Sequence, residues 1–388
     1  MALDSVAGGP ARDRSWSRTS ILAVALIAAI IVIWLINAYV IDAAFGSAVA
    51  TALHQILNAI TAVAIALAAC FAYFWGSNWL LDRVLSSSPA MNEDVETRRD
   101  LRRSAIRPWL FILPALLFLV IYLVYPVIET VRLSLFDKYA QSFVGFNNYA
   151  WALTDSGFWQ AALNNLGWLI IVPLFSTAFG LVIATLADRI WWGGIAKSLV
   201  FMPMAISFVG ASVIWKFVYA YKGPGMAQIG VLNAIVTGLG FPPQAWITVP
   251  FLNSFLLMII LIWIQTGFAM VILSAALRGV PEETLEAARI DGANGFRIFF
   301  DIMIPQIWGT IIVVWTTITI TVLKVFDIVF AMTNGEFQTQ VLANYMYRWM
   351  FISGDYGRGS TIAVIIMLVV IPIMVWNIRR ANAEQGTR

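Results

Sequence analysis

Residues 285–305 read LEAARIDGANGFRIFFDIMIP, a polar stretch set between two long apolar runs. Glu286, Arg289, Asp291, Arg297 and Asp301 lie within it, and Gly292–Gly295, GANG, breaks it in the middle. Pro281 suits a helix start just upstream, and Glu282 and Glu283 fall where a helix N-terminus favours negative charge. Leu285, Ala288 and Ile290 are expected to cover one face, which leaves Glu286, Arg289 and Asp291 in water. Gly292 is a natural left-handed stop, and Asn294 with Gly295 lets the chain turn. A second short amphipathic stretch, Phe296–Met303, follows, and Pro305 leads back into an apolar run. The spacing predicts a rigid helix–turn–helix lying on a membrane surface.

Composition sets that surface in context. The chain has 388 residues, of which 61% are hydrophobic, 14% aromatic and only 12% charged. A soluble domain carries about 25% charged residues, so a deficit this large, with repeated apolar runs, defines a polytopic all-α membrane protein. The net charge of +3 gives no reason to expect a nucleic-acid partner. One cysteine and one histidine are present. Cys70 lies inside an apolar run, and a lone His54 has no companions, so neither a disulfide framework nor a metal site is expected. A Walker A phosphate loop is also missing from the sequence.

A membrane-crossing helix needs about 20 mostly apolar residues. Such runs occur near Ile21–Ile41, Ile56–Gly76, Trp109–Val131, Gln160–Ala187, Ser198–Tyr219, Phe251–Ala275, Trp308–Phe330 and Ser360–Ile378. The expectation is about eight transmembrane helices, the first retained rather than cleaved as a signal peptide. Basic residues choose the sides. Arg12, Arg14 and Arg18 precede the first run, and Arg98, Arg99, Arg102, Arg103 and Arg107 lie between the second and third. Arg189 and Lys197 follow the fourth, Arg278, Arg289 and Arg297 the sixth, and Arg379 and Arg380 the last. The stretch from Asp42 to Gln55 has no basic residue. The positive-inside rule then puts both termini and the 281–305 segment in the cytoplasm.

Two blocks are expected. Residues 1–108 hold two N-terminal transmembrane helices and a charged linker, SSSPAMNEDVETRRDLRRSAIRP, from Ser86 to Pro108. Residues 109–388 hold about six further spans. Turn chemistry marks the outer loops of this second block: VGFNNYA (144–150), YKGPG (221–225), GFPPQ (240–244) and MTNGEF (332–337).

A bare interfacial helix would account for amphipathicity in the polar segment but not for its spacing. Glu286, Ala287, Ala288, Gly292, Ile302, Ile304 and Pro305 fall at the positions of the EAA motif, and the segment resembles that of permease subunits in binding-protein-dependent ABC importers. The usual Leu before the proline is Ile304 here. PALLFLVIYLVYP (114–126), FVGFNNY (143–149), FMPMAIS (201–207) and VFDIVFAMTNG (325–335) are similar to the carbohydrate-uptake branch, most of all to its MalF-type, α-glucoside-like permeases. Unlike MalF, the chain has no large insertion between Arg132 and Trp159. The resemblance implies a core of six helices typical of type I importers, extended by two N-terminal helices. It further implies a second permease subunit, two ATPase subunits that hold ATP and Mg, a periplasmic or lipid-anchored solute-binding protein, and a sugar substrate. The permease itself would bind no cofactor and be no enzyme. Glu286, Ala287, Ala288, Asp291, Gly292, Ile302 and Pro305 become the ATPase-coupling residues.

A sugar path needs aromatic faces and hydrogen-bonding groups. On the sixth run these are Trp263, Gln265, Thr266 and Phe268, and Trp263 matches the position of a stacking tryptophan in the MalF pattern. On the seventh, Thr317, Thr321 and Lys324 recur at helical spacing, with Asp327 beyond. The asparagines that MalF carries there are absent. Met204 and Phe208 complete the candidates. Each has a structural alternative: aromatic packing, threonine bonding to its own helix or a neighbour, and an i,i+3 ion pair or snorkelling for Lys324 and Asp327. Asn164 and Asn165 are expected to serve as caps or interhelical bonds. Another small polar solute, such as a glycerol phosphate, would fit the same importer. An ion-coupled secondary transporter would place ionisable groups at mid-span, and these spans hold essentially none. A scaffold or sensor would have no use for the motif spacing, and a membrane enzyme would need a polar catalytic cluster.

Overall fold

The computed structural model describes residues 31–32, 47–84, 93–223 and 225–385. The expected first span, Ile21–Ile41, lies almost wholly outside the described residues. The chain packs as two compact units, Met1–Val124 and Tyr125–Arg388. The composition boundary expected at Pro108 marks where charge gives way to apolar sequence. The division between units falls later, inside the apolar helical stretch Ser104–Ser134.

The first unit contains α1 (Ser47–Val84) and α2 (Glu93–Leu119), the latter ending in a π-turn at Val120–Val124. α1 contains the predicted Ile56–Gly76 span and overruns it at both ends. Its Ile56, Val63 and Leu67 are more than half exposed. A helix that is apolar yet uncovered by protein presents those side chains to lipid. The Tyr73 hydroxyl donates to the Leu110 carbonyl at 2.8 Å, and Phe74 stacks on Phe111 at 5.6 Å, which joins the two helices.

The second unit runs α3 (Tyr125–Ser134), α4 (Asn147–Thr154), α5 (Ser156–Ala187), α6 (Gly193–Ala205), α7 (Phe208–Val218), α8 (Val231–Gly238), α9 (Leu252–Arg278), α10 (Glu282–Ile290), α11 (Gly295–Gln306), α12 (Trp308–Leu323), α13 (Asp327–Met332), α14 (Leu342–Tyr347) and α15 (Tyr356–Gln385). Among the described residues the only β pairing is an isolated bridge between Phe136 and Phe143. Five helical stretches among them are long and apolar enough to cross a membrane, and two bent pairs raise the number to seven if each pair is one span.

α9 is the central helix. Leu257, Ile260, Leu261, Met270 and Leu273 are fully buried on it, against Trp168 and Val172 of α5 and Val314, Ile318 and Val322 of α12. Helices in lipid gain little from excluding water, so close packing must hold them. Glycines permit that closeness here. A Cβ on Gly180 would lie 2.5 Å from the Ala269 Cβ, and one on Gly267 would lie 2.6 Å from the Val200 carbonyl oxygen. α5 and α6 therefore touch α9 backbone to backbone.

Two expected spans are not straight helices. The Ser198–Tyr219 run is broken: α6 and α7 meet at 107°. Residues 202–205 tighten into a 3₁₀ turn around Pro203, and Ile206 and Ser207 are extended. The Ser207 hydroxyl then accepts from the Gly210 amide at 3.1 Å and caps a new helix. The Trp308–Phe330 run also breaks. α12 stops at Leu323, and α13 starts at Asp327 after Phe326 takes φ −140°. Between them Val325 turns into the core at 6% exposure. The ion pair expected between Lys324 and Asp327 does not form, because the two no longer share a helix.

The asparagines expected to cap or bridge do bridge. Asn164 donates to the carbonyls of Gln338 and Gln340 at 2.7 and 2.8 Å, and Asn165 accepts from the Leu342 amide at 2.8 Å. Asn253, which is fully buried, donates to the Phe337 carbonyl at 2.7 Å. These bonds tie the 333–342 loop to α5 and α9 and pair backbone groups that burial takes away from water.

Candidate functional site

The polar segment folds as the helix–turn–helix its residues predict. α10 begins at Glu282 with Pro281 extended before it, and the acidic first turn is Glu282 and Glu283. It ends in a Schellman motif. The Ala293 amide donates to the Ala288 carbonyl at 2.9 Å and the Gly292 amide to the Arg289 carbonyl at 3.1 Å. Gly292 holds φ 81° at the position where only glycine is unstrained. Asn294 does more than turn the chain: its side chain accepts from the Arg297 amide at 2.9 Å and caps α11. α11 is not a plain α-helix but carries a π-turn over Ile298–Met303, and it meets α12 at 70°. Pro305 sits in the last turn before that bend.

Leu285 packs on the core from α10, and Met303 does so from α11, so the hairpin is seated on the helices behind it. Glu286, Ala287 and Asp291 are exposed, and Ala288 and Ile302 are partly buried. Ile290 departs from expectation. The sequence pattern puts it on the covered face, yet it is 86% exposed. Ile290 lies five residues beyond Leu285, which turns it away from the face that Leu285 and Ala288 share. Phe296, across the turn, is 74% exposed. The tip of the hairpin thus offers two large apolar side chains beside Glu286 and Asp291, exposed among the described residues.

Some of the expected path residues line one or other of two cavities, and Gln265, Phe268 and Met204 line neither. Phe208, Thr321, Lys324 and Asp327 come together with Leu261 around a cavity of about 100 Å³. The broken spans make this possible: the start of α7 and the interrupted α12–α13 junction both end at it. Trp263 lines a different, almost wholly apolar cavity of about 720 Å³, together with Thr266. There its ring meets Trp215 edge to face at 5.8 Å. Phe268 packs against the core, and Gln265 is partly buried on the lining of neither cavity. Met204 is 42% exposed. Thr321 and Thr266 donate to their own helices, at 3.2 Å to Thr317 and 2.7 Å to Ile262.

Two features are not visible in the sequence. One is a cavity of about 740 Å³ where α5 and α9 meet the 333–342 loop, lined by Trp159, Gln160, Asn164, Ser254 and Gln338 among others. Around it the backbone is strained at non-glycine positions, with φ 72° at Phe251, 54° at Phe337 and 65° at Gln338. No sequence signal marks a bulky residue for positive φ. The other is a cluster of Asp188, Lys197, Ser274 and Arg278, joined from three chain segments. In the sequence its basic members stand out only as positive-inside charges.

A bundle of apolar helices with a seated polar hairpin carrying the EAA residues is the architecture of a permease subunit of a membrane importer. Residues 169–381 match the family described as binding-protein-dependent transport system inner membrane component, and the chain belongs to that family. It is a multi-pass inner membrane protein. Over 86% of its length, and 99% of the relative's, it is 62% identical to the alpha-glucoside transport system permease protein AglF of Rhizobium meliloti (strain 1021). It is 54% identical, over 72% of this chain and all of the relative, to the osmoprotective compounds uptake permease protein GgtC of Synechocystis sp. (strain ATCC 27184 / PCC 6803 / Kazusa). The fold is also that of a chain in a bacterial ABC transporter involved in the import of the acidic polysaccharide alginate. The match has a TM-score of 0.63 at 19% identity and covers 74% of this chain and 98% of the other.

Proposed function

We propose that this subunit forms part of the path for a sugar, an α-glucoside or oligosaccharide, in an ATP-driven importer. The observation that carries the reading is the α10–α11 hairpin: α10 ends in a Schellman motif, is seated through Leu285 and exposes Glu286 and Ile290, and α11 exposes Phe296 across the turn. A rigid peg of this kind transmits displacement, whereas a flexible loop would dissipate it. Glu286, Ala287, Ala288, Asp291, Gly292, Ile302 and Pro305 form the docking element for an ATPase subunit, where ATP and Mg are bound. The chain works with a second permease, two ATPase subunits and a periplasmic or lipid-anchored solute-binding protein. Both termini and the hairpin face the cytoplasm, as the basic residues favour. Likeness to the alpha-glucoside permease supports the sugar class, and the cavity at Phe208, Thr321 and Lys324 is the proposed point of passage.

The test is reconstitution. The chain is co-expressed with a candidate ATPase, second permease and binding protein from the same organism, purified by a tag on this subunit, and placed in proteoliposomes. ATP-dependent uptake of a labelled α-glucoside, competed by unlabelled α-glucosides and not by glycerol phosphate, is expected. Purification without an ATPase overturns the importer reading, and uptake blocked by glycerol phosphate but not by glucosides overturns the sugar.

A further inference from the structure

Asp188 directly follows α5, Lys197 lies in α6, and Ser274 and Arg278 occupy the last turns of α9. Their side chains converge. Asp188 Oδ1 accepts from Lys197 Nζ at 2.7 Å and from Arg278 Nη2 at 2.8 Å, and Oδ2 accepts from Ser274 Oγ at 3.2 Å. Lys197 also donates to Ser274, which is buried. Partial burial opposes the charge on Asp188, but the bonds from Arg278, Lys197 and Ser274 outweigh it and hold the carboxyl below the usual carboxylate range. An isolated surface ion pair stabilises little. Here one carboxylate is shared between cations of two helices and a buried hydroxyl, so the arrangement fixes the relative position of three chain segments.

Those segments connect the hairpin to the proposed path. Only Gly279, Val280 and Pro281 separate Arg278 from α10, and Val280 is itself at 9% exposure. A movement of α10 therefore reaches the end of α9 with little slack. From there Asp188 and Lys197 lead into α6, which Gly267 holds a second time at backbone distance. α6 turns through 107° into α7, whose first residue, Phe208, lines the cavity with Thr321 and Lys324.

We propose that Asp188, Lys197 and Arg278 are positioning residues that pass displacement of α10 through the broken α6–α7 span to the Phe208 wall of the cavity. The proposal rests on α10 being the ATPase-docking element. It also gives the bend a mechanical role. With the two halves set at 107°, movement of one half along its axis displaces the other sideways.

The assembled transporter in proteoliposomes tests this, with the unaltered complex measured beside it. Arg278→Ala, Asp188→Asn and the double variant are compared for complex yield, binding-protein-stimulated ATP hydrolysis and uptake per complex. Yield and hydrolysis are expected to stay near the unaltered values, while uptake per ATP falls about fivefold or more, the size of a modest coupling. The double variant is expected to be no worse than the more affected single one, since both break one network. Asp188→Glu and Lys197→Arg, which keep the charges, are expected to retain most of the uptake. The proposal fails if uptake and hydrolysis fall in proportion, if the uptake-to-hydrolysis ratio is unchanged, or if the single effects multiply. An unaltered complex that shows no ATP-dependent uptake would instead overturn the importer reading, whatever the variants do.

Discussion

Gly292 carries the turn of the hairpin at φ 81°, and a Cβ there would meet no other atom. Substitution is therefore opposed by the backbone alone, and a β-branched residue in this region costs about 1–3 kcal/mol. Gly292→Val is expected to unseat the hairpin tip and reduce uptake at least about tenfold, a loss of about 1.4 kcal/mol or more in coupling. Membrane insertion of the variant, followed by detergent extraction and gel filtration, is expected to be normal. Glu286→Lys changes charge without strain and is expected to lower the amount of ATPase that co-purifies. Uptake equal to the unaltered protein in both variants would remove the hairpin from the mechanism. The two aromatic candidates separate by their surroundings. Phe208→Ala opens the cavity shared with Thr321 and is expected to lower apparent affinity per assembled complex by about tenfold, as loss of one aromatic contact does. Trp263→Ala loses an edge-to-face partner, Trp215, in an apolar cavity. Its expected effect is a lower melting temperature of the complex with uptake per complex retained. The reverse pattern would return the stacking role to Trp263, as its position in the sequence suggests.

Among the elements, α9 is the one most constrained by its neighbours. Gly180 of α5 and Gly267 of α9 have no room for a side chain. Gly267→Val forces α6 away from α9 and is expected to destabilise the fold by about 1–3 kcal/mol or more, the usual range for overpacking. The measurement is thermal unfolding of the purified subunit or complex in detergent. An unchanged midpoint would show that α6 is not held there. The breaks at α6–α7 and α12–α13 are not legible in hydropathy averaged over a span, because a window of that length smooths over the few polar residues at a break. The marks are local: Pro203 before Ile206 and Ser207, and the apolar Val325 drawn into the core between Lys324 and Asp327. The hairpin is more legible, since Pro281 and Gly292 act through their own backbone and Asn294 through a side-chain cap only three residues away. The exposure of Ile290 is not, because face assignment near a helix end depends on which side the rest of the molecule lies.

For the whole molecule, the orientation in the membrane is the expectation that labelling can decide. With Cys70 replaced, Glu336→Cys places a thiol at a position whose side chain is 59% exposed, in an expected outer loop. It is expected to react with a membrane-impermeant maleimide in intact cells, while Arg289→Cys and Thr387→Cys react only after permeabilisation. Labelling of Arg289→Cys in intact cells would invert the topology. Membrane residence, helical class and the existence of the hairpin were determined by the sequence itself. They follow from apolar run length, basic residues between runs, and turn residues that act locally. The motif spacing pointed to the family as well. The gathering of Phe208, Thr321, Lys324 and Asp327 around one cavity, the exclusion of Trp263 from it, and the meeting of Asp188 with Lys197 and Arg278 were decided only by tertiary structure. Each depends on how helices distant in the chain cross. In lipid, that crossing is set by which small residues let backbones approach, and a single sequence does not state which helix will be the neighbour.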